Sequence, residues 1–167
     1  MKVILISIQN NEEDSVFEMF NDIPKEENGF MNKLNGISRE CFDLMIASFI
    51  EESVSKTEQS GKVPQTYYIL FVDDVPVGFS KLRHFLTPSL LKHGGHIGYG
   101  LSPKYRGKGY AKILLLETLK KAKEMKIEKV LVTCNDNNCA SYKTIEKCGG
   151  VLENIEEASR RYWIAVE

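Results

Sequence analysis

The segment between residues 96 and 133 constrains the fold of this chain more than any other. It contains an apolar run at 96–102, a glycine-rich loop, an amphipathic pattern from about Tyr110 to Met125 and a second apolar run at 129–133. Pro103 ends the first run, as expected of a strand, because proline has no N–H to donate to a ladder. A strand, a helix and a strand in this order are expected to cross over right-handed, with the helix packed on a sheet. The segment therefore predicts a layered structure of helices and strands.

The rest of the chain predicts further strands and helices on both sides of this unit. Asp73 and Asp74 separate two apolar runs, which is typical of a hairpin. Ser38 is suited to cap a helix that carries apolar residues from Phe42 to Val54 on one face. The other predicted elements are strands at 1–8 and 161–166 and helices after Asn11 and over 140–147. We find no linker or repeat, and we predict one domain, residues 1–167, in the α+β class with mixed strands.

The composition argues against several classes of partner. Lys and Arg total 22 and Asp and Glu total 23, a formal net charge of −1, so no overall field attracts nucleic acid or an anionic membrane. No apolar run approaches the ~20 residues that span a bilayer, and the apolar start lacks a small-residue cleavage site. The cysteines and histidines lack the spacing of a zinc or redox site. We expect a cytoplasmic monomer or homodimer without a metal, and any anion site must be local.

The loop that follows the first strand has the features of a phosphate site. Arg106-Gly107-Lys108-Gly109 precede the helix, where unpaired N–H groups and the helix dipole favour an anion. The glycines permit close approach, and the two cations add local positive charge. The patterns of a P-loop and of a dinucleotide-binding loop are both absent. An ordinary glycine turn before a surface helix is the alternative interpretation.

Two glycines in the preceding strand, Gly98 and Gly100, lie on the same face. Glycine weakens a strand interior, so this pair predicts either a bulge or a close approach of another group to the backbone. A distorted strand leaves amide and carbonyl groups free. Such groups can pair with an extended ligand that carries amides.

Two motifs resemble the GNAT superfamily of N-acetyltransferases. Arg106-x-x-Gly109-x-Ala111 is similar to the family signature (Q/R)xxGx(G/A). Asn138-x-x-Ser141-x-x-x-Ile145-Glu146-Lys147-Cys148-Gly149 is similar to its second coenzyme A motif. The resemblance covers residues 64–155 and extends to an uncharacterised branch of predicted bacterial acetyltransferases. It implies an α/β fold with a mixed sheet of six or seven strands, splayed at the fourth strand, and helices on both faces.

The resemblance also implies that acetyl-coenzyme A is the acyl donor and that coenzyme A binds along the two motifs. Its pantetheine would pair with the strand, its pyrophosphate would bind the loop amides, and the second motif would contact it from the other side. The residues implied are Tyr99, Gly100 and Leu101 on the strand, Arg106, Gly107, Lys108, Gly109, Tyr110 and Ala111 at the loop, and Asn138 and Ser141 in the second motif.

The groups that transfer protons are less well defined by the resemblance. Many family members use a tyrosine of the last helix as acid, but Ile145 stands at the matching position, and Tyr142 lies close to one turn earlier. His96 is a candidate base because its usual pKa of ~6.5 suits deprotonation of an amine; His84 is a second candidate. A histidine at a strand start can equally hold a loop carbonyl. We predict His96 and Tyr142 as the catalytic residues, with an amide of the Tyr99–Leu101 segment polarising the acyl carbonyl.

The expected function is direct transfer of an acetyl or similar acyl group from acetyl-coenzyme A to a primary amine of a small molecule or peptide. Two alternatives remain open at this point. One is a non-catalytic coenzyme A-binding or regulatory module, which Ile145 favours. The other is a modifier of an amine on a protein or a tRNA, although the near-neutral charge argues against extended nucleic-acid contact.

Overall fold

The computed structural model describes residues 1–58 and 61–166, so residues 59, 60 and 167 of the expected domain lie outside the described residues. Each strand and helix named above is present, with boundaries that differ by a few residues. The strands are β1 (Val3–Ser7), β2 (Glu26–Glu27), β3 (Phe30–Met31), β4 (Gln65–Val72), β5 (Val75–Arg83), β6 (Ile97–Leu101), β7 (Lys129–Asn135), β8 (Val151–Glu156) and β9 (Ser159–Ala165). The helices are α1 (Asp14–Asp22), α2 (Arg39–Val54), α3 (Pro88–Lys92), α4 (Tyr110–Glu124) and α5 (Cys139–Lys147).

Two sheets account for all but the two shortest strands. A four-stranded sheet has the order β1–β4–β5–β6, a three-stranded sheet has the order β7–β9–β8, and β2 pairs with β3 as a separate hairpin. The pairs within each sheet are antiparallel. The predicted fold class is confirmed. The two sheets together contain seven strands, where six or seven were expected, and they separate beside β6.

Local sequence signals explain where several elements begin and end. The Ser38 hydroxyl accepts a hydrogen bond from the Cys41 N–H, 3.2 Å away, and so caps α2. Asp73 and Asp74 have φ of 49° and 63°, and two consecutive residues at positive φ give a turn whose twist matches an antiparallel hairpin. The turn therefore sets the β4–β5 pairing that places β5 in the centre of its sheet.

Helices cover both faces of the four-stranded sheet. Neighbouring residues of a strand point to opposite faces, and Tyr68 and Ile69 of β4 belong to different core clusters. Ile69 packs with residues of α1 and α2, including Phe20 and Phe42. Tyr68 packs with residues of α4 such as Leu115. Within residues 1–58 and 61–166, no helix combines the length and apolar character needed to cross a bilayer.

The two sheets are joined at the start of β6 and separate beyond it. The His96 N–H donates to the Leu131 carbonyl of β7, 2.8 Å away. In the described residues, no backbone hydrogen bond joins Ile97–Leu101 to β7. The separation leaves the edge of β6 that faces β7 without a partner strand, and a cleft opens there.

A few local expectations were wrong or incomplete. Val54 was expected on the buried face of α2, but it is 75% exposed at the last residue of the helix. Strand β8 was not expected because it is mostly exposed and its sequence lacks regular alternation. The β2–β3 hairpin is too short to give a periodic signal, yet it proves important for the site.

Candidate active site

One aromatic ring covers the glycine face of β6. A Cβ on either Gly98 or Gly100 would lie 3.0 Å from a ring carbon of Phe30. The β5–β6 ladder keeps a single register along its whole length, so the bulge considered at these glycines is wrong. The alternative, a close approach to the backbone, is confirmed, because a Cβ at either position would contact the Phe30 ring more tightly than side chains normally pack.

The backbone of β6 presents a free edge to the cleft. The Ser102 N–H donates to the Val77 carbonyl and the Arg83 N–H donates to the His96 carbonyl. Because pairing alternates along an antiparallel ladder, the N–H and C=O groups of Tyr99 and Leu101 point away from β5. The Leu101 carbonyl accepts from Arg106, and the other three groups are ones that an extended ligand with amides can use. The alternation points to Tyr99 and Leu101, rather than Gly100, as the source of a free amide.

The loop before α4 forms a set of unpaired amides. Gly107 and Gly109 have φ of 74° and 83°, a conformation that glycine adopts without strain. Within the described chain, the N–H groups of residues 107–112 donate to no backbone carbonyl, and α4 begins without a side-chain cap. These groups lie at the positive end of the α4 dipole. The loop can therefore hold phosphate oxygens.

A cavity of about 430 Å³ brings the loop, the free strand edge and α5 together. Ten of the predicted cofactor residues line it: Tyr99, Gly100, Leu101, Arg106, Gly107, Gly109, Tyr110, Ala111, Asn138 and Ser141. Lys108 is not among them, since its ammonium lies over the Tyr105 ring, 5.5 Å from the ring centre. We name this space the donor cavity.

Arg106 lies at the mouth of the donor cavity with its guanidinium engaged on both sides. Two of its nitrogens contact the Glu27 carboxylate at 3.0 and 2.6 Å. The guanidinium also donates to the Leu101 carbonyl at 3.3 and 3.2 Å. Arg106 thus links the β2–β3 hairpin, the end of β6 and the phosphate loop.

The second motif supplies a hydroxyl and an amide to the same cavity. The Asn138 Oδ1 accepts from the Ser141 N–H at 3.2 Å, which caps α5 and leaves the Nδ2 group for a ligand. The Ser141 Oγ lies 3.0 Å from the Tyr99 hydroxyl. Burial raises the pKa of Tyr99 to about 12, so its hydroxyl keeps its proton at neutral pH.

A second cavity, of about 410 Å³, adjoins the first. The two cavities share the walls formed by Asn28, Phe30, Tyr99, Asn138 and Ser141. The second cavity extends past Gly98 to Lys81 and Arg83 of β5. We name it the acceptor cavity because it meets the donor cavity at the free edge of β6.

The ring of His96 is a structural element of the joint between the sheets. Its Nδ1 accepts a hydrogen bond from the buried Leu131 N–H at 2.9 Å. Burial, assisted by the charge of Arg83, lowers the pKa of His96 to about 4. Because Nδ1 is occupied and the imidazole is 6% exposed, the geometry favours a positioning role. The assignment of His96 as the base stays a prediction. His84, the second candidate, contacts the Thr66 hydroxyl through Nε2 at 2.8 Å.

Tyr142 is not brought to either cavity in the described structure. The Arg160 guanidinium lies over its ring, 4.0 Å from the ring centre. A contact with Cys139 raises the pKa of the Tyr142 hydroxyl. Ile145 is fully buried in the core rather than in the cleft. Tyr99 does line both cavities, and the assignment of Tyr142 as acid stays a prediction.

Two wall residues of the acceptor cavity were not found from the sequence. Phe30 stands in a region without periodic signal, and Lys81 reads as an ordinary polar residue within a strand. The glycines opposite Phe30 were the available signal for the first. For Lys81 the sequence offers no signal, because its importance depends on the cavity.

An open strand edge with a loop of unpaired amides at one end is suited to a ligand that bears both amide groups and phosphates, as coenzyme A does. The model of the acetyltransferase (GNAT) family matches residues 31–150, which is more than half of the chain. The chain belongs to this family. It is an acyl-coenzyme A-dependent N-acetyltransferase whose donor is acetyl-coenzyme A.

Solved structures with the same fold are distant in sequence. The chain is similar to the Campylobacter jejuni N-acetyltransferase PseH in complex with acetyl coenzyme A, with 13% identity, a TM-score of 0.66 and coverage of 99% and 100% of the two chains. Mutant forms of the Vibrio cholerae spermidine/spermine N-acetyltransferase SpeG show 15% identity, a TM-score of 0.65 and coverage of 98% and 95%. RimL, a ribosomal L7/L12 alpha-N-protein acetyltransferase in complex with coenzyme A, shows 14% identity, a TM-score of 0.71 and coverage of 99% and 95%. No curated protein matches the chain.

Proposed function

We propose that the protein transfers an acetyl group directly from acetyl-coenzyme A, bound in the donor cavity, to a primary amine of a small molecule or peptide in the acceptor cavity. The observation that carries the proposal is the meeting of the two cavities at the free edge of β6. A thioester and an amine held on either side of one edge are in position to react.

The donor residues divide into two groups. The amides of the Arg106–Ala111 loop would hold the pyrophosphate, and the free N–H groups of Tyr99 and Leu101 and the free Tyr99 carbonyl would pair with the pantetheine. An N–H of the same edge is suited to stabilise the oxyanion that forms when the amine attacks. Asn138 would contribute its Nδ2 group from α5.

Direct transfer, without an acyl-enzyme intermediate, is supported by the raised pKa of the Cys134 thiol. Cys134 lines the acceptor cavity. Burial raises the pKa of its thiol, which opposes the thiolate needed for nucleophilic attack. The amine is therefore the better nucleophile in this site.

The second substrate of the proposed reaction is the acceptor amine. SpeG is named for a polyamine and RimL for a protein amine, so one fold serves acceptors of different size. A small-molecule or peptide amine fits an acceptor cavity of about 410 Å³. The single domain, the cytoplasmic location, the absence of nucleic-acid partners and the monomeric or dimeric state stay predictions.

A substitution in the phosphate loop tests this function. Glu at position 109 would bring bulk and negative charge to the amides, so Gly109→Glu should abolish coenzyme A binding in calorimetry and acetyl transfer to amines followed by mass spectrometry. Gly109→Asn is the matched control, because asparagine tolerates positive φ and adds no charge. Unchanged affinity in a folded Gly109→Glu variant would contradict the proposed donor site. Normal binding without transfer to any amine would favour the non-catalytic module.

A further inference from the structure

Lys81 lies in the acceptor cavity without a partner for its charge. No hydrogen bond or ion pair joins its ammonium to another group within residues 1–58 and 61–166. Its closest support is the Phe30 ring, whose centre lies 5.3 Å from the ammonium. Its side chain crosses β6 where glycine leaves space, since a Cβ on Gly98 would lie 3.0 Å from its Cε. The ammonium is therefore held in place by packing.

A second cation lies on the same face of β5. The Nη1 of Arg83 donates to the carbonyls of Gly94 and Gly95 at 3.2 and 2.9 Å. In the described chain, its Nε and Nη2 groups have no acceptor. Residues two apart in a strand share a face, so Lys81 and Arg83 point into the same space. Part of the guanidinium remains able to bind a ligand.

The walls of the cavity do not neutralise these two charges. Among the described residues that line the acceptor cavity, Glu157 is the one with a carboxylate. This carboxylate lies 3.1 Å from the His93 imidazole. Burial, with repulsion from Arg83 and Lys33, lowers the pKa of Lys81 to about 8. At neutral pH most of the ammonium is still charged, so the free cavity holds excess positive charge. Such charge is costly to bury unless a counter-ion accompanies it.

We propose that the amine acceptor also carries an anionic group, a carboxylate or a phosphate, which binds Lys81 and the free side of the Arg83 guanidinium. This inference rests on the proposed function. Charge-assisted hydrogen bonds from both cations would fix the anion, and the amine would extend towards the free edge of β6. A polyamine acceptor would instead bring positive charge against Lys81 and Arg83, so the site selects against it.

The first test compares matched amines in the acetyl-transfer assay. Glycine is compared with glycinamide, and O-phosphoethanolamine with ethanolamine, in the wild type and in Lys81→Met, which keeps the length and the contact with Phe30. We expect the variant to lose about 10–100-fold in kcat/KM for the acid of at least one pair and little for its neutral partner. Comparing each amine across the two proteins cancels differences in amine basicity. The pair that responds distinguishes carboxylate from phosphate.

The second test does not require turnover. Binding of inorganic phosphate and of acetate is measured by calorimetry with saturating coenzyme A present, so that the phosphate loop is filled. Wild type and Lys81→Arg should bind one of the two anions, and Lys81→Met should lose at least about 10-fold in affinity. Lys123→Met, a change on exposed α4, is the control and should bind as the wild type does.

The outcomes separate the two proposals. Equal behaviour of wild type and Lys81→Met in both assays overturns the anion site, whether or not amines are acetylated. Loss of anion binding in Lys81→Met supports it even if none of the four amines is a substrate. If the wild type does not bind coenzyme A, that result would instead contradict the proposed function. If Lys81→Met does not fold, Lys81→Gln replaces it in both assays.

Discussion

Replacing His96 by asparagine and by alanine separates a positioning role from a catalytic one. The His96 Nδ1 accepts the Leu131 N–H at 2.9 Å, and the imidazole is 6% exposed. The Oδ1 of an asparagine occupies nearly the same position as Nδ1, so His96→Asn retains the acceptor. His96→Ala removes the acceptor and leaves the buried Leu131 N–H group without a hydrogen-bond partner. Neither variant retains a base.

The cost of the alanine variant can be estimated from these contacts. An unpaired buried donor costs about 1–3 kcal/mol, and the space left by the imidazole adds to this loss. His96→Asn should lie within about 1 kcal/mol of the wild type, since the hydrogen bond to Leu131 is retained. Because the bond closes the joint between the sheets, His96→Ala should also weaken coenzyme A binding.

The pH dependence of stability gives an independent measure. The pKa of His96 is about 4 in the folded protein, against about 6.5 in an unfolded chain. Below pH 6.5 the unfolded state gains a proton that the folded state does not, so the free energy of unfolding falls with pH until about pH 4. At pH 4.5 this contribution amounts to about 2–3 kcal/mol. It should be absent from His96→Asn.

Urea unfolding at pH 7.5 and pH 4.5 measures both effects. Between these two pH values, the free energy of unfolding of the wild type should fall by about 2–3 kcal/mol more than that of His96→Asn. The turnover of His96→Asn at pH 7.5 should stay within about tenfold of the wild-type value. A folded His96→Asn protein of normal stability that loses 10²–10⁴ in turnover, as general-base catalysis requires, would refute the positioning role. The acidic limb of the pH–rate profile would then belong to His96.

The remaining predictions concern the cleft. Asn138→Ala should raise the KM for acetyl-coenzyme A and destabilise α5 by about 1 kcal/mol; Asn138→Ser keeps the cap, so an unchanged KM in both variants would leave capping as the whole role. Tyr99→Phe should lower turnover more than Tyr142→Phe does, because the Tyr99 hydroxyl lies in the cleft beside Ser141. A larger loss in Tyr142→Phe, measured at saturating donor, would give Tyr142 the acid role.

The parts of the site that depend on local chemistry could be predicted from the sequence. Positive φ at Gly107 and Gly109, the cap at Asn138 and the exposed start of α4 are properties of a few adjacent residues. Ten of the eleven predicted cofactor residues line one cavity, and their role in binding stays a prediction. Lys108 does not line it, because the direction of a long side chain depends on its neighbours, here Tyr105.

The parts that depend on distant contacts could not be predicted. His96 has a suitable usual pKa, but the Leu131 N–H that occupies its Nδ1 belongs to a strand 35 positions later. The paired glycines Gly98 and Gly100 signalled a close approach without identifying Phe30. Recognition of the acceptor depends on such contacts, so it could not be predicted from the sequence.

The β2–β3 hairpin gives the two cavities a common wall. Asn28 and Phe30 line both spaces, and the ion pair between Glu27 and Arg106 fastens the same hairpin to the phosphate loop. A ligand that shifts this wall from one side alters the space on the other. Thermodynamic linkage then requires that donor and acceptor change each other's affinity by the same factor. The affinity for either substrate therefore depends on whether the other is bound.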